Sequence, residues 1–505
     1  MIKLTGFKQG RGLWEKLDKV TDRLANCDPT IWGESAAKEA AIRLNWVNLP
    51  EKSRELLPQL DALSAWSREF GHEVFILCGM GGSSLAPEVM AQVYKKKLTI
   101  LDSTDPAHVK SVLDQDLSKS CIIIGSKSGS TIETASQMAA ANEQLIKQGL
   151  DPKNHFVVIT DPGSPLDIQA RETSLRVVNA DPNVGGRFSA LSAYGLTPAA
   201  LIGIDISILL DDAYEASLSF AKPGSVVTQV AAALADKFFS FTGFLDTGSN
   251  VAGLSEWIEQ LIAESTGKDG KGVLPITLRR KSSLNYPVIS FDGSGSNSVE
   301  ASLGEHFIFW QWVTALLGYL LGVDPFNQPN VTEAKEKTSA LLSRWSKGRE
   351  EISPVFESEN IAIYSSLQEK SVEHYLGKAL ANSRGYLAIM AYLHRGADDQ
   401  IKDLAPLLES KSKFPTTFGW GPRFLHSTGQ FHKGGPSTGS FIQITAEHEN
   451  AWPIAGRDFG FETLIMAQAL GDMEALSSRD FSVIRFHLKN RKQGIAELLS
   501  AAEKI

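Results

Sequence analysis

CIIIGSKSGSTIETA, residues 121–135, opens as a wholly apolar run, breaks into a loop of Gly, Ser, Lys and Thr, and resumes with a helical pattern. A run with no polar alternation reads as a strand buried on both faces, the kind found in parallel sheets covered by helices. Where strand gives way to helix, backbone N–H groups and the hydroxyls of Ser126, Ser128, Ser130 and Thr131 converge on one small volume. A phosphate monoester fits such a volume. The same residues also suit a plain structural role, Thr131 as a helix N-cap and the serines as turn formers. The pattern G-x-x-x-x-G-K-[ST] is absent here, which removes the best support for nucleotide hydrolysis.

The neighbouring segments repeat the theme. VFIL (74–77), LTIL (98–101) and FVVI (156–159) are short apolar runs closed by turn residues, and helical stretches follow most of them. Strands alternating with helices predict an α/β chain built from doubly wound parallel sheets with helices on both faces, in two domains. Residues 1–45, with Leu13, Leu17, Val20 and Leu24 at helical spacing, read as a helical arm. The first domain is expected over 46–221. A second opens at KPGS (222–225), with helices through VVTQVAAALADKFFSF and VAGLSEWIEQLIAES, and runs to 400. YPVISF (286–291), NIAIYSSL (360–367), YLAIMAYL (386–393) and SFIQIT (440–445) are expected to supply its sheet, and residues 401–505 to complete it.

Size and composition agree with this. The chain has 505 residues, 43% of them hydrophobic and 21% charged, enough to bury a large core in two or three domains. A formal charge of -8 offers no general attraction to polyanions, so a phosphate must be caught by a local arrangement and nucleic acid is not an expected partner. Cys27, Cys78 and Cys121 are too few and scattered for a disulfide framework and read as reduced thiols. The N-terminal stretch lacks a signal-like apolar segment, and no run of about 18 apolar residues occurs, so the expected location is the cytoplasm, with no membrane partner.

Two further loops bear on chemistry. FILCGMGGSSLAPEV (75–89) is another strand, loop and helix, in which Gly79, Gly81, Gly82 and Ser83 let backbone approach a ligand closely. It is a poor dinucleotide turn, because Ser84 replaces the third glycine and Asp102 is a weak ribose partner. NVGGRFSALSAYG (183–195) carries Arg187 after a glycine pair, a placement suited to a guanidinium facing an anion.

In this order and spacing, GMGGSSLAP, SKSGSTIET and NVGGRFSALSAYG resemble the sugar-isomerase (SIS) domain of phosphoglucose isomerases. The resemblance continues with ESTGKDGKG (264–272) and GVDPFNQPNVTEAK (322–335), while GPRFLHSTGQFHKGGPSTG (421–439) looks like the isomerase half of bifunctional transaldolase/phosphoglucose isomerases. It implies two SIS-type domains and interconversion of glucose 6-phosphate and fructose 6-phosphate through an enediol. Glu264 aligns with the catalytic base, and Arg187 with the group that stabilises the developing oxyanion. Gly82, Ser83, Ser126, Lys127, Ser128, Thr131, Glu133 and Gln328 would hold the phosphate and sugar, and Lys335 would assist ring opening. A homodimer is also implied. The chain departs from the family pattern at Pro182, Ala190, Asn330 and Thr332, with Glu333 one place late.

Ring opening in this family uses a histidine between the glutamate and lysine motifs. Here LHSTGQ falls after both, so His426 is a displaced match, and His306 in GEHFIFW stands in the usual interval within an apolar helical run. The aldose–ketose chemistry needs a carboxylate and a cation rather than a metal. No H-x-x-x-H or H-E-x-x-H occurs, and His426 and His432 have no obvious third ligand, so neither metal nor other cofactor is expected. Three other functions stay open: a non-catalytic sugar-phosphate regulator, a dual phosphoglucose/phosphomannose isomerase, and a transferase akin to the isomerase domain of sugar-phosphate aminotransferases. The regulator would lack the trio Glu264, Arg187 and Lys335. The transferase would carry an N-terminal glutaminase cysteine where Ile2 follows Met1.

Overall fold

The computed structural model describes residues 1–8, 11–345, 352–448 and 451–505. It divides into two units: residues 1–102, 112–280 and 286–327 form the first, and residues 103–111, 281–285 and 328–505 the second.

In the first unit, Thr99–Leu101, Val74–Gly79, Ser120–Gly125, Phe156–Thr160 and Arg176–Asn179 lie side by side in that order, all parallel. Counted along the chain this is the order 2-1-3-4-5. The direction of winding reverses between Val74–Gly79 and Ser120–Gly125, and ligands of such sheets bind at the carboxyl ends of the strands beside that reversal. Ile76, Leu77, Ile122, Ile123, Ile124, Val157, Val158 and Ile159 are fully buried, as expected of a sheet covered on both faces. Cys78 and Cys121 belong to these strands, and burial pushes both thiols up to about 12, so they stay protonated and inert. Cys27 is only half buried.

A second sheet of the same unit runs Lys3–Thr5, Asn297–Glu300, Val288–Ser290, Phe241–Leu245 and Leu274–Leu278. Its outer strand Lys3–Thr5 is antiparallel to Asn297–Glu300, whereas the other pairs are parallel. The helix expected through Phe241 stops at Leu234, and FTGFL forms a strand, since aromatic and β-branched residues around Gly243 fit a pleated surface better than a helix. The arm is a helix, Arg11–Ala25, that buries Leu17, Val20 and Leu24.

The second unit holds a six-stranded sheet in the order Phe356–Glu357, Ile361–Tyr364, Ser482–Leu488, Gly439–Ala446, Tyr386–Ala391 and Thr416–Trp420. The last four strands are mutually parallel, and Ile361–Tyr364 pairs antiparallel to Ser482–Leu488. The strands expected to make one further sheet are therefore shared between two: YPVISF contributes to the first unit, the other three to this one. Behind this sheet Lys433 and Asp472 form a fully buried ion pair at 2.6 Å. Among the described residues no helix is long and apolar enough to cross a membrane.

Candidate active site

The two strands flanking the reversal end at register partners, Gly79 and Gly125. Ser83, from the turn that follows the first of them, sits over both. A Cβ on Gly79 would lie 2.7 Å from Ser83 Oγ, and one on Gly125 would lie 3.1 Å from Ser83 Cβ. The Ser83 hydroxyl closes its own turn, donating to Met80 O and accepting from Met80 N, both at 3.1 Å. Gly82 meets a third loop: a Cβ there would fall 2.1 Å from Gly186 O and 2.9 Å from Arg187 N, so only glycine permits the approach. Ser189 Oγ fastens the contact by donating to Gly82 O at 3.2 Å.

The loop 126–131 starts where Gly125 ends. Ser126 is buried, and its Oγ accepts from Gly129 N at 3.2 Å. Ser128 Oγ accepts from Ser130 N at 3.2 Å and shares a hydrogen bond of 2.7 Å with Ser130 Oγ. Thr131 occupies the N-cap position of helix Ile132–Lys147 with extended backbone, yet its side chain makes no cap hydrogen bond. The hydroxyl is not spent on the helix as the structural role would require. Glu133 is buried in the first turn of that helix. Lys127 turns to the protein: its Nζ lies 2.8 Å from Asp161 Oδ2 and donates to Pro182 O at 2.9 Å. Burial raises the pKa of Asp161, with Lys127 opposing.

Glu264 stands in the last turn of helix Leu254–Thr266, a helix whose Trp257, Ile258 and Leu261 are packed in the core. A carboxylate there faces the negative end of the helix dipole and needs a cation close by. Arg187 provides it, Nη1 to Glu264 Oε1 at 3.3 Å, with both side chains at most a tenth exposed. Gln260 Nε2 donates to the other oxygen, Oε2, at 3.2 Å. Arg187 is aimed by further acceptors: Nε donates to Ser265 Oγ at 2.7 Å, and Nη2 to the carbonyls of Pro325 at 2.5 Å and Asn327 at 3.1 Å. Burial pushes the guanidinium below its usual value, with Glu264 and Asp324 opposing.

A third charge of this region was not singled out in the sequence. Lys268 is 3% exposed, and its Nζ donates to the carbonyl of Asp324. Burial pushes its pKa well below the usual lysine range and Arg187 adds to that, while Asp324 and Glu264 oppose it. The available signal was the turn K-D-G-K inside ESTGKDGKG, whose Asp-Gly pair predicts a tight reversal that sends the flanking lysines back toward the protein.

Thus Gly82, Ser83, Ser126, Lys127, Ser128, Thr131, Glu133, Arg187 and Glu264 all lie in the first unit, and a chain of contacts runs from Glu264 through Arg187 and Gly82 to Ser83 and Gly125. Gln328, Lys335 and His426 belong to the second. Gln328 and Lys335 are exposed, the lysine on helix Pro329–Trp345. Asn330, one departure from the family pattern, is locked to Gln430: its N donates to Gln430 Oε1 at 3.0 Å, and Gln430 Nε2 returns a bond to Asn330 Oδ1 at 2.8 Å. Glu333 is held by Arg479 through two hydrogen bonds. His426 ends the short turn Arg423–His426 and is partly exposed. His306 is in the first unit, fully buried on helix Leu303–Leu321, with neither ring nitrogen hydrogen-bonded and with Phe291 edge-on at 5.3 Å. Burial drives its pKa down to about 3. Among the described residues no group of three His, Cys, Asp or Glu side chains is placed to hold a metal ion.

The profile of the phosphoglucose isomerase family matches residues 47–273. A probable glucose-6-phosphate isomerase of Haloarcula marismortui is 34% identical over 212 residues, 40% of this chain and 49% of its own length. The glucose-6-phosphate isomerase of Mycoplasmopsis pulmonis is 26% identical over 388 residues, 60% of this chain and 90% of its own. The chain spans about half the length of the first of these relatives. A crystal structure of a glucose-6-phosphate isomerase from Chlamydia trachomatis shares the fold, with a TM-score of 0.55 at 18% identity over 67% of this chain and 86% of that one. Over residues 47–273, with the sheet and loops they build, the chain is thus similar to the phosphosugar isomerases of the phosphoglucose isomerase family.

Proposed function

We propose that the protein is an aldose–ketose isomerase that interconverts glucose 6-phosphate and fructose 6-phosphate. The observation that carries this reading is the buried contact of Glu264 with Arg187, linked through Gly82 and Ser83 to the hydroxyl-lined loop 126–131. A carboxylate next to a guanidinium suits the removal of a proton from one carbon of an open-chain sugar and its return to the neighbouring carbon. The same guanidinium stabilises the oxygen that becomes negative in the cis-enediol. The phosphate, which does not react, is held by Ser126, Ser128 and Thr131 and by Lys127 once it leaves Asp161. Ser83, Glu133 and Gln328 contact the sugar in this reading, and His426 and Lys335 open the ring.

The names of the relatives support the substrate pair, and GPRFLHSTGQFHKGGPSTG supports a kinship with the isomerase half of bifunctional transaldolase/phosphoglucose isomerases. A cytoplasmic location and a homodimer belong to the same reading. The test is a coupled assay of the purified protein on fructose 6-phosphate, with and without chelator. Production of glucose 6-phosphate that survives chelation is expected. No turnover with retained binding of the ester would favour a regulator instead.

A further inference from the structure

Three of the donor–acceptor contacts around Arg187 and Lys268 converge on one short turn. Arg187 Nη2 donates to the carbonyls of Pro325 and Asn327, and Lys268 Nζ donates to the carbonyl of Asp324. The turn is also braced from within, because Asp324 Oδ1 accepts from Phe326 N at 2.8 Å and Asn327 N at 3.4 Å. Asp324 is thus gripped at its main-chain oxygen by Lys268 and at its side chain by the turn it heads.

The lysine's own position is set by the chain around it. Lys268 N donates to Lys271 O at 3.2 Å and Lys271 N to Lys268 O at 2.8 Å, and the two residues between them, Asp269 and Gly270, have φ of 54° and 71°. This tight reversal follows directly on the helix that carries Glu264. Lys271, its other lysine, is exposed and reaches Leu321 O at 2.9 Å, where helix Leu303–Leu321 ends. Only one of the two ammonium groups is therefore buried, and burying one is costly unless its partners hold it. The buried one is the one on the turn that aims Arg187.

We propose that Lys268 is a positioning residue of this site: by holding the Asp324 carbonyl it fixes the turn whose Pro325 and Asn327 carbonyls orient Arg187 toward Glu264. The kinetic part of this rests on the isomerase reading above; the structural part does not. Without Lys268 the turn is anchored from one side only, Nη2 of Arg187 loses a fixed direction, and the Nη1 contact with Glu264 loosens with it. Lys268 itself touches no reacting atom.

The test compares Lys268→Met with Lys271→Met and Lys268→Arg. In Lys268→Met, kcat on fructose 6-phosphate should fall by about ten- to a hundredfold, the scale of a misplacement of roughly 1 Å, with KM nearly unchanged because the phosphate loop is untouched. Lys271→Met should keep the wild-type kcat, and Lys268→Arg, which retains a donor, should recover most of the loss. Hydrogen exchange over residues 321–330 supplies the readout that needs no turnover. The amides of Phe326 and Asn327 should exchange faster in Lys268→Met and not in Lys271→Met. Unchanged exchange in a folded Lys268→Met overturns the proposal even where the isomerase assay succeeds. If the wild type is inactive on fructose 6-phosphate, the function fails and the exchange experiment still judges Lys268. Should Lys268→Met not fold, Lys268→Arg decides by the same measurement: restored protection supports the proposal, and protection lost despite the retained donor sinks it.

Discussion

Lys127 and Asp161 face each other at 2.8 Å, an ammonium on the candidate phosphate loop tied to a carboxylate at the end of the neighbouring strand. In the proposed reaction this lysine must exchange its carboxylate for the phosphate. Asp161→Asn should therefore tighten fructose 6-phosphate about two- to fivefold by calorimetry, since a partly exposed pair contributes on the order of 1 kcal/mol. Weaker binding would mean that Asp161 aims the lysine at the ligand rather than withholding it.

Glu264→Gln keeps the shape of the side chain and removes its basicity. Turnover should drop by at least about a hundredfold, the usual weight of a positioned general base, while the affinity for fructose 6-phosphate stays within a few-fold of wild type. Near-normal turnover would identify the wrong carboxylate.

Thr131 and Ser126 are expected to separate binding from stability. Thr131 makes no cap hydrogen bond, so Thr131→Ala should leave the melting temperature unchanged and weaken the ester about ten- to a hundredfold, as for a lost hydrogen bond to a charged group. Ser126 also accepts from Gly129 N, so Ser126→Ala should cost stability as well. A destabilised Thr131→Ala with intact binding would restore the helix-cap role.

His306 predicts a pH effect on stability. Its folded pKa of about 3 lies below the 6.5 of an ordinary histidine, so between these values the unfolded chain binds the extra proton. Its contribution is therefore complete above about pH 6.5 and is lost as the pH falls toward 3. His306→Leu should remove that proton from the acid dependence of the unfolding free energy between pH 4 and 6, and should not lower the melting temperature at neutral pH, because two unsatisfied ring nitrogens leave the core with it. An unchanged slope would contradict the assignment of a buried neutral ring.

His426→Ala should slow turnover on ring-closed substrate while an open-chain substrate is processed with much less impairment. Equal loss on both, at unchanged stability, would remove the ring-opening role.

The parallel strands were legible because VFIL, CIII and FVVI are too apolar to face water on either side, and the loops after them because Gly and Ser cluster at strand ends. Arg187 and Glu264 could each be named from their motifs, but their meeting could not, since they stand 77 positions apart in the chain and only the fold closes that distance. Lys268 escaped because a lysine beside glycines reads as a solvated turn residue until its burial is seen. The partner of Lys127 was hidden for the same reason: Asp161 looks like turn punctuation after FVVIT. The helix from Val226 was carried past its true end, Leu234, to Phe241, the first residue of the strand FTGFL, because Phe238, Phe239 and Phe241 prolong the apolar pattern.

The ion pair of Lys433 and Asp472 carries a consequence for how this sequence can diverge. Loss of either partner strands a bare charge in the interior, at a cost of about 3–5 kcal/mol, whereas two apolar residues of similar volume could replace the pair at little cost. The two positions are then bound in descent. A lineage can leave this arrangement only by crossing a fitness valley between two single changes, so relatives should carry both charges or neither, and a lone survivor would mark a chain in transit.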